Sequence, residues 1–359
     1  MSASRAERLQ EQVAERGLDA LLVTELVNLR WLTGFTGSNG LAIVGPGRRV
    51  FLTDFRYLTQ AADEVGDAWE HRIIPDLLAA AAEEFASAAG LRLGFDDLHV
   101  TVAQHRRLAE KLEDRVELVG AGGVIEGLRA VKDPEEIDRI RAAAELADDA
   151  FREVVLEGGI VGRTERDVAL DLEVAMRRRG AEGVSFPPII AAGAHGALPH
   201  ASPRGVPIPA DTLVVVDWGA QLDGYASDCT RTVATGELDA QDAEIYALVL
   251  RAQETALAAI QAGPTGREID AIARTIIDNA GHAEHFGHGL GHGVGLAVHE
   301  GPRLSKLGET ALAAGNVVTV EPGVYLPGRI GVRIEDLVAV TADGADVLNG
   351  LPKALTRVA

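Results

Sequence analysis

Along roughly the first 125 residues, apolar runs of strand length alternate with longer amphipathic stretches. The pattern predicts a charged amphipathic helix over residues 5–16 and strands over 19–23, 41–44 and 50–53. A helix from 55 to about 64 follows, then a strand over 71–74 and a helix over 76–88. A strand over 91–95, a helix over 102–112 and a strand over 116–119 complete the series, which predicts an α/β domain. The stretches GFTGSNG and GPG lack the Lys-Ser/Thr of a phosphate-binding loop and read as turns.

A strong helix start then changes the rhythm. Asp133 supplies an N-cap, Pro134 sits at the first helical position, and Glu136 completes a capping box. Ile137, Ile140, Ala144, Ala147, Phe151 and Val154 keep helical spacing and turn one apolar face to a core. The domain boundary is placed just before this helix, giving domains over 1–126 and 127–359. Inside the second domain, GRTERDVALDLEVAMRRRG and GREIDAIARTIIDNAG share Glu-x-Asp, starting at 165 and 268, each opening an amphipathic helix. Two similar halves packed around one site would produce such an echo. Between the two copies, SFPPIIAAGAHGALPHASP gives a short strand and then a Pro-rich loop carrying His195 and His200.

Composition narrows the setting. The 359 residues are 47% hydrophobic and 25% charged, as in an ordinary globular protein long enough for two cores. A net charge of −20 argues against nucleic acid and anionic membrane as partners. No apolar run reaches membrane-spanning length, and the N-terminal stretch does not resemble a signal peptide. The single cysteine, Cys229, rules out an internal disulfide framework and suits a reducing cytoplasm. By strand alternation its thiol points away from the neighbouring Asp228.

Four stretches carry candidate chemistry. In VVVDWGAQLDGYASDCTRTV, Asp217 and Asp228 flank turn-forming residues, and an antiparallel hairpin would set the two carboxylates side by side. Two buried acids so placed repel unless something cationic lies between them. GHGLGHGVGLAVHEGP carries His288, His292 and His299, with five glycines over 287–295 that would allow close backbone approach or positive φ. Glu321 and Glu335 each stand at or near the end of a β-branched strand, the second beside Arg333. Four carboxylates and one imidazole suit two divalent cations of hard or borderline character, with positions left for water and substrate.

The ordered set Asp217, Asp228, His292, Glu321 and Glu335 resembles the dinuclear metal site of the methionine aminopeptidase/prolidase/creatinase family, the pita-bread metallopeptidases. NLRWLTGFTGSNG, FLTDFRYLTQAA and the linker GLRAVKDPEEIDRIR resemble its Xaa-Pro branch, prolidase and aminopeptidase P. The resemblance covers nearly the whole chain. It implies an α/β (α+β) protein: a small creatinase-like N-terminal domain, then a pita-bread catalytic domain with pseudo-twofold halves. It implies two divalent ions, Mn²⁺ first and Co²⁺ or Zn²⁺ as alternatives, held by those five residues.

The same resemblance assigns further roles. Glu321 becomes general base and then acid, while His288 and His299 contact the substrate and stabilise the tetrahedral intermediate. His200 lies at the substrate mouth, Arg333 hydrogen-bonds inside the site, and Tyr325 matches a tyrosine of many Xaa-Pro members. Arg303 matches an arginine that binds a dipeptide's free carboxylate, with a surface strand charge as the alternative reading. His195 and His282 have no counterpart and are expected to be solvated or loop histidines.

The expected activity is hydrolysis of the bond between an N-terminal residue and a following proline, with dipeptidase and aminopeptidase P both open. The expected setting is a homodimer in the cytoplasm. A creatinase-like, metal-independent amidinohydrolase and a non-catalytic pita-bread binding protein are the competing readings, and the intact ligand set counts against both.

Overall fold

The computed structural model describes residues 4–85 and 90–359. The chain divides into two compact units, Met1–Arg129 and Ala130–Ala359.

The first unit is built on one mixed sheet. Its strands are β1 (Ala20–Val23), β2 (Gly40–Gly45), β3 (Arg48–Thr53), β4 (Glu70–Ile73), β5 (Leu91–Phe95) and β6 (Val116–Gly120). They lie in the order β4-β3-β2-β1-β5-β6. β1–β2 and β2–β3 are antiparallel, and the other three pairings are parallel. The helices are α1 (Arg5–Glu15), α2 (Leu26–Thr33), α3 (Leu58–Glu64), α4 (Leu77–Glu83), α5 (Val102–Leu112) and α6 (Val124–Arg129). Leu22, Ile43, Leu52, Leu93 and Leu108 form the heart of the core between sheet and helices.

Three differences from expectation have local causes. α2 has no amphipathic stripe, because five of its eight residues are buried, and it starts from Glu25 rather than a stronger capping residue. α4 begins as predicted, with Asp76 capping the Ala79 N–H at 3.1 Å, but residues 86–88 of the predicted helix lie outside the described residues. The expected boundary before residue 127 cuts through α6, and the compact units divide at Arg129 instead.

The second unit opens with α7 (Pro134–Phe151), whose Asp133–Glu136 capping box is complete. Its last turn continues as a π-helical stretch, Arg152–Glu157. Then come α8 (Glu165–Arg178), β7 (Gly183–Val184), β8 (Ile189–Ala192), β9 (Leu213–Trp218), β10 (Ala220–Leu222), β11 (Tyr225–Ala226) and β12 (Cys229–Ala234). The second half comprises α9 (Ala240–Leu257), α10 (Gly266–Asn279), β13 (Gly291–Gly293), β14 (Glu300–Leu304), β15 (Val317–Val320), β16 (Gly323–Leu326), β17 (Ile330–Arg333), β18 (Asp336–Val340) and β19 (Ala345–Val347). The main sheets are β12-β9-β8 and β14-β13-β15-β18-β19.

Each half has its own core. In the first, Phe151 stacks on Trp218 at 4.3 Å and the indole N–H donates to Ala147 O. The internal echo is visible in the caps: Thr164 holds the Asp167 N–H and Thr265 the Glu268 N–H. Capping therefore aligns Asp167, not Glu165, with Glu268. No helix among the described residues is long and apolar enough to cross a membrane.

Candidate metal centre and substrate site

Asp217 and Asp228 do meet, but not across one simple hairpin. β9 and β12 are antiparallel with Asp217 opposite Thr230, and an extra hairpin, β10–β11, is inserted between them. Its two-residue loop has Asp223 at φ 49° and Gly224 at φ 82°, the left-handed pair that a tight I′-type turn requires. The insertion leaves Asp228 at the head of β12, where ligand oxygens of Asp217, Asp228 and Glu335 lie within 4.8 Å of one another.

The second half supplies the facing wall. His292 is the middle residue of β13, and its Nε2 lies 3.3 Å from Glu321 Oε1 and 3.7 Å from Asp228 Oδ2. Gly291 and Gly293 make that position possible. A Cβ on either would fall 2.0 Å from Thr319 O or 2.1 Å from Gly301 O, so only glycine lets the strands close around the histidine. None of the five glycines over 287–295 takes a positive φ, so close approach is what this stretch uses.

Thr230 and Thr319, which sequence reasoning passed over, orient the acids. Thr230 Oγ1 donates to Glu335 Oε2 at 2.8 Å, and Thr319 Oγ1 donates to Glu321 Oε1 at 3.1 Å. Strand alternation gave a signal for Thr230, since it shares a face with Asp228. Cys229 and Arg231 occupy the other face, where the Arg231 guanidinium reaches both Glu335 O and Asp336 Oδ1.

One cation answers this group directly. Arg333 donates to Asp217 Oδ2 at 2.5 Å, Tyr325 OH at 2.8 Å, Thr230 Oγ1 at 3.0 Å and Pro199 O at 3.1 Å. Tyr325 OH lies 2.9 Å from His288 Nε2, and His288 Nδ1 lies 2.7 Å from Gly289 O. A carbonyl only accepts, so Nδ1 carries the proton and Nε2 accepts from the tyrosine. Burial lowers the His288 pKa and favours this neutral ring. Its one N–H is thus already committed, whereas His299 is exposed and, among the described residues, no hydrogen bond ties its ring.

Arg303 lies directly opposite His292 across β13–β14, so the two side chains share a face. It is exposed, as is His200 in the loop after β8. His282 pairs with His285 at 3.1 Å between Nδ1 atoms. His195 takes the loop alternative, but not the solvated one. Instead of being solvated, its ring is only 8% exposed and meets the buried Glu165 at 2.9 Å. That partner stands 30 positions earlier, beyond the reach of local pattern.

The acids themselves test whether cations fit. Burial, then the charges of Glu335, Asp217 and Glu321, push the Asp228 pKa well above the ordinary carboxylate range. Burial, then Glu321 and Asp217, do the same to Glu335, and burial also raises Glu321. Asp217 Oδ1 and Glu335 Oε1 are buried with no hydrogen-bond partner. His292 Nδ1 donates to Gly293 O at 3.1 Å, which leaves the Nε2 lone pair directed at the carboxylates. Unpaired carboxylate oxygens and an imidazole lone pair converging in a buried, like-charged cluster fit hard or borderline divalent cations.

Residues 138–342 match metallopeptidase family M24, and residues 5–131 match the creatinase/prolidase N-terminal domain. An Xaa-Pro dipeptidase of Pyrococcus furiosus is 35% identical over 354 residues, covering 98% of this chain and 99% of that protein. The structure of an Xaa-Pro dipeptidase from Bacillus anthracis superposes with a TM-score of 0.94 at 37% identity, covering 99% of both chains. That of an X-Pro aminopeptidase from Thermotoga maritima gives 0.90 at 35% identity, over 99% of this chain and 100% of that one.

Proposed function

The chain belongs to metallopeptidase family M24, with a creatinase/prolidase N-terminal domain, and from that premise we propose that it hydrolyses the bond between an N-terminal residue and a following proline. The observation that carries this reading is the convergence of Asp217, Asp228, Glu321, Glu335 and the His292 lone pair, with two carboxylate oxygens left unpaired. These five residues would hold two divalent ions, Mn²⁺ first and Co²⁺ or Zn²⁺ as alternatives. When bound, such ions supply a water-derived nucleophile at neutral pH and polarise the scissile carbonyl.

The remaining work falls to this chain's own groups. Glu321, with a carboxyl pKa raised by burial, takes the proton of the attacking water and delivers it to the leaving proline nitrogen. His299 has the N–H for a developing oxyanion, while His288, with both ring nitrogens taken by Gly289 and Tyr325, contacts the substrate as a fixed apolar wall. Proline after the scissile bond presents a tertiary amide with no N–H, so a site for it needs no acceptor there. His200 borders the mouth. Arg303, exposed beside His292, pairs with the free carboxylate of a dipeptide and favours the prolidase form of the activity. A homodimer in the cytoplasm completes the reading, and the lone cysteine, buried and free, suits that compartment.

Hydrolysis of Ala-Pro beside Ala-Pro-Ala, with metal-stripped protein and after Mn²⁺ is restored, tests the proposal. Metal-dependent cleavage of the dipeptide supports the prolidase form, and preferential cleavage of the tripeptide moves the assignment to aminopeptidase P. No cleavage of either with Mn²⁺ demonstrably bound overturns it.

A further inference from the structure

Two buried acids outside the carboxylate cluster play no part in the chemistry above. Glu165, the first residue of α8, is 1% exposed. It accepts the Ala192 N–H at 3.1 Å, the Arg204 N–H at 2.9 Å, and the Arg204 guanidinium at 3.1 Å through Nε and 2.9 Å through Nη2. His195 Nδ1 adds a contact at 3.0 Å. One carboxylate therefore grips both ends of the segment 192–204, and Arg333 holds its apex through Pro199 O. His200 follows that proline.

Asp270 on α10 does the same work in the other half. Also 1% exposed, it is held by Arg274 through Nε and Nη2, each at 2.8 Å, and it accepts the Leu290 N–H at 3.0 Å. Arg274 in turn donates to Phe286 O at 2.9 Å and His288 O at 2.8 Å. Three backbone groups spanning 286–290 are thus tied to one helix, with His288 in the middle. The two acids do not occupy equivalent positions, since the caps align Glu165 with Gly266 and place Asp270 four residues further on.

A buried ion pair is seldom the most stable filling for a core, because desolvation offsets its attraction. What these two pairs do supply is direction. Their donors and acceptors are spent on loop backbone next to a histidine, where an apolar side chain could fill space but not fix the chain's position.

We propose that Glu165 and Asp270 are positioning residues. Each fixes the backbone of one histidine-bearing loop, and so sets where the His200 and His288 rings meet the peptide. The proposal rests on the peptidase reading above. Misplacing a contacting group by about 1 Å costs on the order of 10²-fold in rate, and loss of comparable supporting partners costs about 10–100-fold.

Double-mutant cycles with the Mn²⁺-loaded full chain and Ala-Pro test it, pairing Asp270→Asn with His288→Ala and Glu165→Gln with His200→Ala. The expected result is a loss of about 10–100-fold in kcat/KM for each acid variant alone. In the background lacking its histidine the further loss should be less than about threefold, with bound Mn²⁺ unchanged throughout. A merely structural role would lower activity by the same factor in both backgrounds, and that result overturns the proposal. If His288→Ala and His200→Ala themselves keep wild-type kcat/KM, the assignment of these rings to the substrate is what fails, whatever the acid variants do. Should Asp270→Asn not fold, Arg274→Lys serves in the same cycle, because it keeps a cation beside Asp270 but cannot span the carbonyls of Phe286 and His288.

Discussion

Replacing Arg333 with methionine isolates the electrostatics of the carboxylate cluster. The guanidinium is 4% exposed and makes four hydrogen bonds, the shortest to Asp217. Methionine occupies similar space but removes the charge and every donor. Breaking a buried ion pair from one side costs about 3–5 kcal/mol. For a unit as long as Ala130–Ala359, at about 2–4 °C per kcal/mol, that is roughly 6–20 °C in melting temperature. The penalty should depend on what else compensates the acids. With Mn²⁺ bound they have other partners, so the deficit should shrink.

Acid should shrink it too, and the sign follows from the pKa directions. Burial and neighbouring carboxylates raise Asp228 and Glu335, so the folded, metal-free protein holds protons that the unfolded chain has already released. Its stability therefore falls as pH climbs from the ordinary carboxylate range through the raised values. Arg333 works against that fall, because its charge lowers both pKa values. Removing it should widen the deficit at about pH 7.5 and narrow it at about pH 5. Scanning calorimetry in chelator and in Mn²⁺, at both pH values, provides the four conditions. An equal deficit in all four would refute the electrostatic account and make Arg333 a packing residue.

Three further outcomes are expected. Glu321→Gln should fold normally but lose Mn²⁺ stoichiometry and turnover of Ala-Pro, and wild-type turnover would show that the cluster is not the reaction centre. Arg303→Ala should raise the KM for Ala-Pro by about tenfold or more, on the scale of a charge-assisted hydrogen bond, with little change for Ala-Pro-Ala. Equal effects on the two peptides would remove Arg303 from carboxylate recognition. Asp148, 1% exposed, has its pKa raised by burial to about 6, against Gly350, Arg231 and Asn349, which lower it. It destabilises the fold by roughly 3 kcal/mol once charged, a cost that sets in as pH rises from about 4 to 6. Asp148→Asn should flatten denaturant-derived stability across that window, and an unchanged slope would contradict the assignment.

Much of the catalytic unit was legible because its chemistry sits at places sequence pattern can find. Asp217 and Glu321 stand at or just past β-branched runs, and Asp133 announces α7 through its cap. What stayed hidden depends on long-range pairing. The β10–β11 insertion is short enough to read as a plain turn, so the expected register between Asp217 and Asp228 was too simple. α2 is buried on most sides and lacks the periodicity that reveals a helix. His195 could not be told from a solvated histidine without knowing that the chain folds Glu165 beneath it.

The deeper reason that the candidate site residues stand out in the sequence is that they are a poor choice for folding alone. Asp217, Asp228, Glu321 and Glu335 bring four potential negative charges into buried or half-buried positions against the single guanidinium of Arg333. The histidines add no compensation, since burial lowers the pKa of both His288 and His292. Proton uptake can relieve part of the repulsion, and the raised pKa values of Asp228, Glu321 and Glu335 register that tendency. It leaves Asp217 Oδ1 and Glu335 Oε1 without partners, a cost that a hydrophobic core would avoid. The fold tolerates this imbalance because two well-packed halves hold the walls in place, through Phe151 on Trp218 in one and the Asp270–Arg274 pair in the other. Two divalent ions would bring four positive charges to four carboxylates. Cation binding should thus add stability where the polypeptide is least content, and activity and stability should rise together as metal is restored.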